Sequence, residues 1–400
     1  MKQFDITYFH GPFAQYMDKP EIIADIAASG MTQVPLHYDT ETNKKALPLL
    51  SRYGMTALVS DPRLRKVYDE DDIAGADAVV REVVEDYAAF DNIHGWDIVD
   101  EPQECKFPVI AAIVNALRFY APETESVINL FPNYATPQQL GSKDYMSHLE
   151  AFVNIVNPDL ISYDHYHFRG RKVSEQAVTE GLSERERLIQ INAVAPRKEG
   201  CGFFENIADV RAVAQKYGID PMLIILLTEH GNYRNLTRGE LLWEVNMCLA
   251  YGMRRISYFT YWVPDDNNEY WRWDNAMCNR DGEKLPHYYD AQAINAAIKD
   301  IGSWLFDKNS TEVFHIGTPE LGGIAFEPYA GISAIDGDNG VIGFFDDGSV
   351  YLVNRDFQNT NSFTLHTDKA VTIRKNGYFA DLEDLTITLG AGEAVLLKLA

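Results

Sequence analysis

Short apolar runs alternate with longer amphipathic ones eight times over the first 300 residues, and few folds accept that rhythm. The strand-like runs fall at 4–9, 32–36, 56–59, 93–99, 126–130, 160–163, 222–228 and 256–262. Each is short and bounded by turn or helix-boundary residues, as strands buried on both faces are. The helical segments between them fall at 21–29, 43–53, 73–90, 109–120, 143–156, 204–217, 238–251 and 288–305. In 74–84 the apolar positions recur at helical spacing with charged residues opposite them. Gly30, Gly54 and Gly218 stand just past helix ends, where a left-handed cap favours glycine. Eight such repeats are what closes a (β/α)8 barrel. The competing doubly wound open sheet usually carries a Gly-rich phosphate turn after its first strand, and this chain has none. The predicted architecture is therefore α/β, with a TIM barrel over residues 1–305.

Helical periodicity stops near residue 306. Gly340–Phe345 and Ser349–Asn354 flank Asp346-Asp347-Gly348, a hairpin signal, and short strands follow at 362–366, 370–374, 385–389 and 394–399. The predicted second unit, 306–400, is a small antiparallel β-sandwich. The connection after the sixth strand, about 164–200, is far longer than such loops usually are. It carries Arg169, Arg171, Lys172, Arg185, Arg187, Arg197 and Lys198. A solvated surface excursion and a lid or partner contact are both open there, the latter including a homo-oligomer built through this loop.

The basic loop is unusual because the rest of the chain is acidic. Thirty-five Lys and Arg against 59 Asp and Glu leave a formal charge of −24. Such a surface repels nucleic acid and anionic lipid. No apolar run approaches the ~20 residues needed to span a bilayer, and no apolar leader-like stretch precedes the first strand pattern. Cys105, Cys201, Cys248 and Cys278 share no tight spacing, as expected of reduced thiols. A cytoplasmic protein with neither a nucleic-acid nor a membrane partner is expected.

In such a barrel, function sits where the strands end. Those ends here collect carboxylates, imidazoles and aromatic rings: Phe9-His10-Gly11, His37-Tyr38-Asp39, Trp96-Asp97-Ile98-Val99-Asp100-Glu101-Pro102, Phe131-Pro132-Asn133-Tyr134, Tyr163-Asp164-His165-Tyr166-His167, Thr228-Glu229-His230 and Tyr261-Trp262. Rings stack on the C–H faces of sugars, and charged oxygens bond their hydroxyls. Glu101 and Glu229 follow strands four and seven, which face each other across an eight-stranded ring. Glycosidic cleavage needs two carboxyl groups on opposite sides of the anomeric carbon, one to protonate the leaving oxygen and one to attack or to activate water. Taken singly, either glutamate serves equally well as a helix cap or rim ion pair; as a pair at those strands they point to catalysis.

Asp100-Glu101-Pro102 resembles the Asn-Glu-Pro signature of the clan A glycoside hydrolases, (β/α)8 retaining enzymes, and is closest in type to family 42-like proteins. The resemblance implies Glu101 as acid/base, Glu229 as nucleophile, a tyrosine near the nucleophile at Tyr166, a platform tryptophan at Trp262 and cleavage of β-glycosides. Asp100 stands where the clan has an asparagine that bonds the sugar 2-hydroxyl, so a third negative charge joins the pair. Substrate contacts are expected from Asp100, His10, His37, Asn133, Asp164, His165, Tyr166 and Trp262. Trp271 and Trp273 either wall a sugar subsite or pack on the rim. The expectation is an exo-acting enzyme on small glycosides or oligosaccharides, with no cofactor and no metal.

Two rival readings remain open. Asp164, His165 and His167, with Glu101, Glu229 and His230, include enough ligands for a divalent metal, as in a barrel isomerase or epimerase. A non-catalytic carbohydrate-binding barrel would bind sugar without turnover. No Gly-x-Ser-x-Gly, P-loop or dinucleotide fingerprint is present, so hydrolase-elbow, phosphoryl-transfer and nicotinamide chemistry lack support.

Overall fold

The computed structural model describes residues 4–170, 202–264 and 271–400. Its first part is the expected barrel. Eight strands, β1 (Asp5–Tyr8), β2 (Gln33–Leu36), β3 (Thr56–Val59), β4 (Ile93–Asp100), β5 (Glu125–Leu130), β6 (Leu160–Asp164), β7 (Asp220–Leu226) and β8 (Arg255–Phe259), pair in parallel in sequence order from β2 to β8, and β8 returns to β1. Thr32 closes the remaining seam between β1 and β2. Its N–H donates to the Ile6 carbonyl (2.9 Å), while its hydroxyl oxygen accepts from the Ile6 N–H (3.0 Å).

Around this ring lie α1 (Pro20–Ala28), α2 (Thr40–Arg52), α3 (Pro62–Asp69), α4 (Ala76–Tyr87), α5 (Phe107–Tyr120), α6 (Pro137–Leu140), α7 (Tyr145–Val156), α8 (Phe203–Tyr217), α9 (Arg238–Ala250) and α10 (Pro286–Leu305). Their starts follow local chemistry. Asp39 and Asp61 accept from the first-turn amides of α2 and α3, and Thr237 with Glu240 forms a reciprocal capping box on α9. Differences from expectation appear here. The helix expected over 73–90 begins at Ala76, and α3 was not expected; the Asp61-Pro62 start signal preceding it was present but unused. The eighth strand, expected to run to Trp262, leaves the sheet at Phe259.

The barrel floor is polar. Arg255, 6% exposed, forms an ion pair with Glu125, and His94 lies against both. Burial works against the Glu125 charge, but Arg255 and His94 outweigh it and hold its pKa down at about 2. The cluster fills the end of the barrel opposite the strand ends that carry chemistry.

The tail forms two antiparallel sheets. The larger contains β9 (Ser310–Ile316), β11 (Gly340–Phe345), β12 (Ser349–Asn354), β14 (Val371–Lys375), β15 (Tyr378–Asp381) and β17 (Ala394–Leu399); the smaller contains β10 (Ile332–Asp336), β13 (Asn361–Thr367) and β16 (Thr386–Leu389). The Asp346-Asp347-Gly348 hairpin is present, with Phe344 paired to Val350. β9, β10 and β15 were not expected from sequence.

Within the larger sheet, β11 and β12 are buried on both faces, and the alternation along them shows against what. Val341, Phe345, Tyr351 and Val353 join the barrel core. Their neighbours Ile342, Phe344, Val350 and Leu352 form a second core with Phe363, Leu365, Ile387 and Leu389 of the smaller sheet. The docking onto α9 is close enough that a side chain at Gly343 would meet the Ala250 carbonyl well inside van der Waals distance. Asn246 of α9 stitches the joint: its amide donates to the Gly392 carbonyl (2.8 Å), and its oxygen accepts from the Tyr351 hydroxyl (2.7 Å).

Candidate active site

A cavity of about 350 Å³ opens at the strand ends. Its wall includes Phe9 after β1, Asp100 and Glu101 at β4, Asn129 on β5 and Tyr134 after it, Asp164 and Tyr166 at β6, Ile224 on β7, and Phe259 at the end of β8. His230 and Tyr233 from the segment after β7, with Trp271 and Trp273, complete the described wall. Three carboxylates thus face a mainly aromatic chamber.

The backbone explains how adjacent acids share it. Successive side chains on a strand point to opposite faces. Asp100 ends β4, and Glu101 then takes a left-handed conformation, φ +48°, which is costly for a residue with a Cβ and brings its side chain round to the same cavity. The Glu101 N–H is anchored on the Asn129 carbonyl (2.8 Å). Asn129 also sets the other two acids: its Nδ2 donates to Asp100 Oδ1 (2.9 Å) and Asp164 Oδ1 (3.2 Å), while its oxygen accepts from Ser162 (2.9 Å).

Crowding acids in a partly dehydrated chamber raises their pKa values. Glu101 is pushed up to about 7, first by burial and then by the Asp100 charge. Asp164 is raised well above the usual carboxylate range, by burial first and then by Glu101 and Asp100. Asp100 is open to the cavity yet surrounded by protein. It is raised by burial and by Asp97, with the Asn129 hydrogen bond opposing. Glu101's carboxyl group makes no hydrogen bond among the described residues. It is a proton-holding group that, among the described residues, faces the cavity.

Several expected site residues are here: Asp100, Glu101, Asp164, Tyr166, Trp271 and Trp273. Tyr166 packs its ring against Phe259, His230 and Tyr233 and makes no hydrogen bond to Glu229. Glu229 itself lies one residue from the cavity-lining His230, half-buried, where its Oε2 accepts from Asn275 Nδ2 (2.6 Å). His37 is at the strand-two end and pairs with Asp97 (2.8 Å). Burial pulls its pKa down, but the Asp97 charge and hydrogen bond, with Asp100 beyond, outweigh that and raise it. His10 is exposed, and its carbonyl accepts from the amides of Tyr261 and Trp262.

Three assignments are corrected. Trp262 is 1% exposed, packed on Phe13 and Tyr16, and Phe259 takes the cavity position, because β8 ends three residues earlier than expected. His165 turns away from the cavity to Asn206 (3.0 Å) behind Tyr134, and burial lowers its pKa to about 4. Asn133 is spent on the Gly202 carbonyl at the start of α8 (2.9 Å). His167 stacks on Trp243 (4.5 Å between centroids), so the imidazoles after β6 are committed to packing. Among the described residues no three His, Cys, Asp or Glu side chains converge to hold a metal ion. The basic loop, apart from Arg169, lies outside the described residues. Arg169 is buried with its guanidinium against the rings of Tyr134 (5.1 Å) and Tyr233 (5.3 Å).

Sequence reasoning missed Phe9, Asn129, Tyr134, Ile224, Tyr233 and Phe259, and gave His230 a ligand's role. Asn129 carried a usable signal, a lone amide in an otherwise aliphatic strand interior. Phe259 and Tyr233 carried none, because aromatic residues also fill cores.

No protein-family model matches the sequence, and no curated protein sequence matches it. Solved structures do resemble it. A β-galactosidase from the psychrophilic Marinomonas ef1 superposes over 76% of this chain with TM-score 0.53 at 9% identity, and the matched part is 62% of that enzyme. A family 39 glycoside hydrolase from Bacteroides cellulosilyticus WH2 matches over 100% of this chain and 81% of its own, TM-score 0.51, 12% identity. A glucosidase from Croceicoccus marinus matches over 100% and 96%, TM-score 0.51, 12% identity. At such identities the likeness is one of fold.

Proposed function

We propose that the protein hydrolyses glycosidic bonds, with Glu101 as the proton donor. The observation that carries the reading is the placement of Glu101: its carboxyl group faces a chamber walled by aromatic rings, without a hydrogen bond among the described residues, where burial and the Asp100 charge push its pKa up to about 7. General acid catalysis works best when the donor's pKa lies near the working pH. The rings offer stacking surfaces for a sugar, and the chamber's size suits one ring with part of its leaving group, which supports exo action on small glycosides. That the solved structures of like fold are glycosidases is consistent with this, and kinship to family 42 in particular rests on Asp100-Glu101-Pro102 alone.

In this mechanism Glu101 protonates the leaving oxygen as the bond breaks, Glu229 attacks the anomeric carbon, and Glu101, now ionised, takes a proton from the water that releases the sugar. β-Configuration and retention follow the clan resemblance. One observation favours a variant in which Asp164 is the second carboxylate: it lines the same chamber, and the Glu101 charge helps raise its pKa. A screen of aryl glycosides, pentosides and furanosides included, tests the function. Turnover abolished in Glu101→Ala and unaffected by chelator is the expected result; a chelator-sensitive isomerisation, or sugar binding without turnover, would replace the reading. Loss of the covalent glycosyl-enzyme in Glu229→Ala but not in Asp164→Ala selects the first mechanism, and the converse selects the variant.

A further inference from the structure

Three carboxylates are one more than glycoside cleavage needs, and the described wall of the cavity brings no lysine or arginine to offset them. Arg169 packs on the rings of Tyr134 and Tyr233, and His37 is already paired with Asp97, so among the described residues neither brings a positive charge into the cavity. We propose that the sugar bound at the cleavage point carries that charge: the substrate is a glycoside of an amino sugar, its protonated amine on the carbon next to the anomeric centre. This inference rests on the glycosidase reading and specifies its substrate class.

The geometry is set by Asn129. A single nitrogen, its Nδ2, reaches both Asp100 Oδ1 and Asp164 Oδ1, so the two carboxylates lie within two hydrogen-bond lengths of each other. Each then has a second oxygen, to which no other described side chain donates, although Asp164 is 7% exposed. An ammonium group entering from the cavity has three donors and meets both of those oxygens. It repeats from the open side the bridge that Asn129 makes from the protein side, now with full charge.

The position of the amine follows from sequence and backbone together. Asp100 and Glu101 are adjacent, and the left-handed turn at Glu101 places both on the cavity. A sugar whose glycosidic oxygen meets Glu101 therefore offers Asp100 a substituent close to the anomeric carbon. The chemistry of cleavage makes such a partner necessary. Positive charge develops on the anomeric carbon in the transition state, and an ammonium on the next carbon opposes it. Carboxylates bonded to that ammonium offset the repulsion. The formal charge of −24 also favours a cationic ligand over a neutral one on approach.

Calorimetry and kinetics on the intact chain, at pH 6–7 and low salt, test this with matched aryl glycosides. One sugar is compared in three forms, with a free 2-amine, with a 2-hydroxyl and with a neutral 2-acetamide. Charge-assisted hydrogen bonds lead us to expect the free amine to be preferred about ten- to a hundredfold in kcat/KM. Asp100→Asn should shrink that preference by about tenfold or more, and so should Asp164→Asn, with circular dichroism confirming that each variant is folded. The preference in the wild-type protein is informative even if neither variant folds. Turnover of the hydroxyl or acetamide form equal to or better than the amine overturns this inference and leaves the glycosidase reading standing. No turnover of any form overturns the glycosidase reading itself; tighter binding of the free amine in that case still supports a cationic ligand.

Discussion

Replacing Glu101 with glutamine should make the protein more stable, and by an amount that depends on pH. Burial and the Asp100 charge push the carboxyl group up to about 7 in the fold, against an ordinary value of 4.5. Below about pH 4.5 it is protonated in both the folded and unfolded states, and glutamine is a close substitute. Between about 4.5 and 7 the unfolded chain releases the proton while the folded protein keeps it, so stability falls as pH rises. Above about 7 the penalty is complete. At about 1.4 kcal/mol per pH unit, and allowing for water in the cavity, it amounts to roughly 2–3 kcal/mol. Urea denaturation of wild type and Glu101→Gln at pH 4 and pH 8 measures it. The variant should match wild type within about 0.5 kcal/mol at pH 4 and exceed it by about 2–3 kcal/mol at pH 8, while losing catalytic activity at both. A stability difference that is the same at the two pH values would show that the Glu101 charge is not opposed by the fold, and the argument for a poised acid would fall with it.

Asp100→Asn removes the neighbouring charge that helps raise Glu101. The alkaline limb of the kcat/KM profile, where the acid deprotonates, should therefore move to lower pH; an unmoved limb would mean that another group sets it. On the barrel floor, Arg255→Met leaves Glu125 buried without its guanidinium and should cost about 3–5 kcal/mol in urea denaturation, with much of that recovered in the Arg255→Met/Glu125→Leu double variant. If the single variant loses under 1 kcal/mol, the pair does not hold the floor as described. Gly343→Ala forces a methyl group against the Ala250 carbonyl and should destabilise by about 1–3 kcal/mol; no change would mean that β11 and α9 can separate freely.

The barrel was legible because its signal repeats: one strand–helix pattern read eight times leaves little choice of topology. The joint with the sandwich was not, since β11 and β12 are apolar on both faces and only three-dimensional packing shows that one face serves the barrel. At the site, residues tied to a strand end by sequence alone line the cavity where the end was read correctly, as for Asp100, Glu101, Asp164 and Tyr166. Trp262 failed because β8 stops at Phe259, and three residues move a side chain from cavity to core. His165 and Asn133 failed for a different reason. Both are polar groups at strand ends, but Asn206 and the start of α8 claim them, and partners distant in sequence cannot be read from a local motif. The sharing of Asn129 by two carboxylates was hidden in the same way.

The most direct test of Glu101 as the acid uses azide, a nucleophile that needs no general base. Glu101→Ala, given an aryl glycoside whose leaving phenol is already acidic, should form the glycosyl-enzyme and then stall. Against a poor leaving group the loss should be larger, about 10²–10⁴-fold. Added azide should restore turnover and yield a glycosyl azide of retained anomeric configuration, read from the proton coupling at the anomeric carbon. A variant that loses the same factor on good and poor leaving groups, and is not rescued by azide or yields the inverted product, would contradict the assignment of Glu101 as the acid.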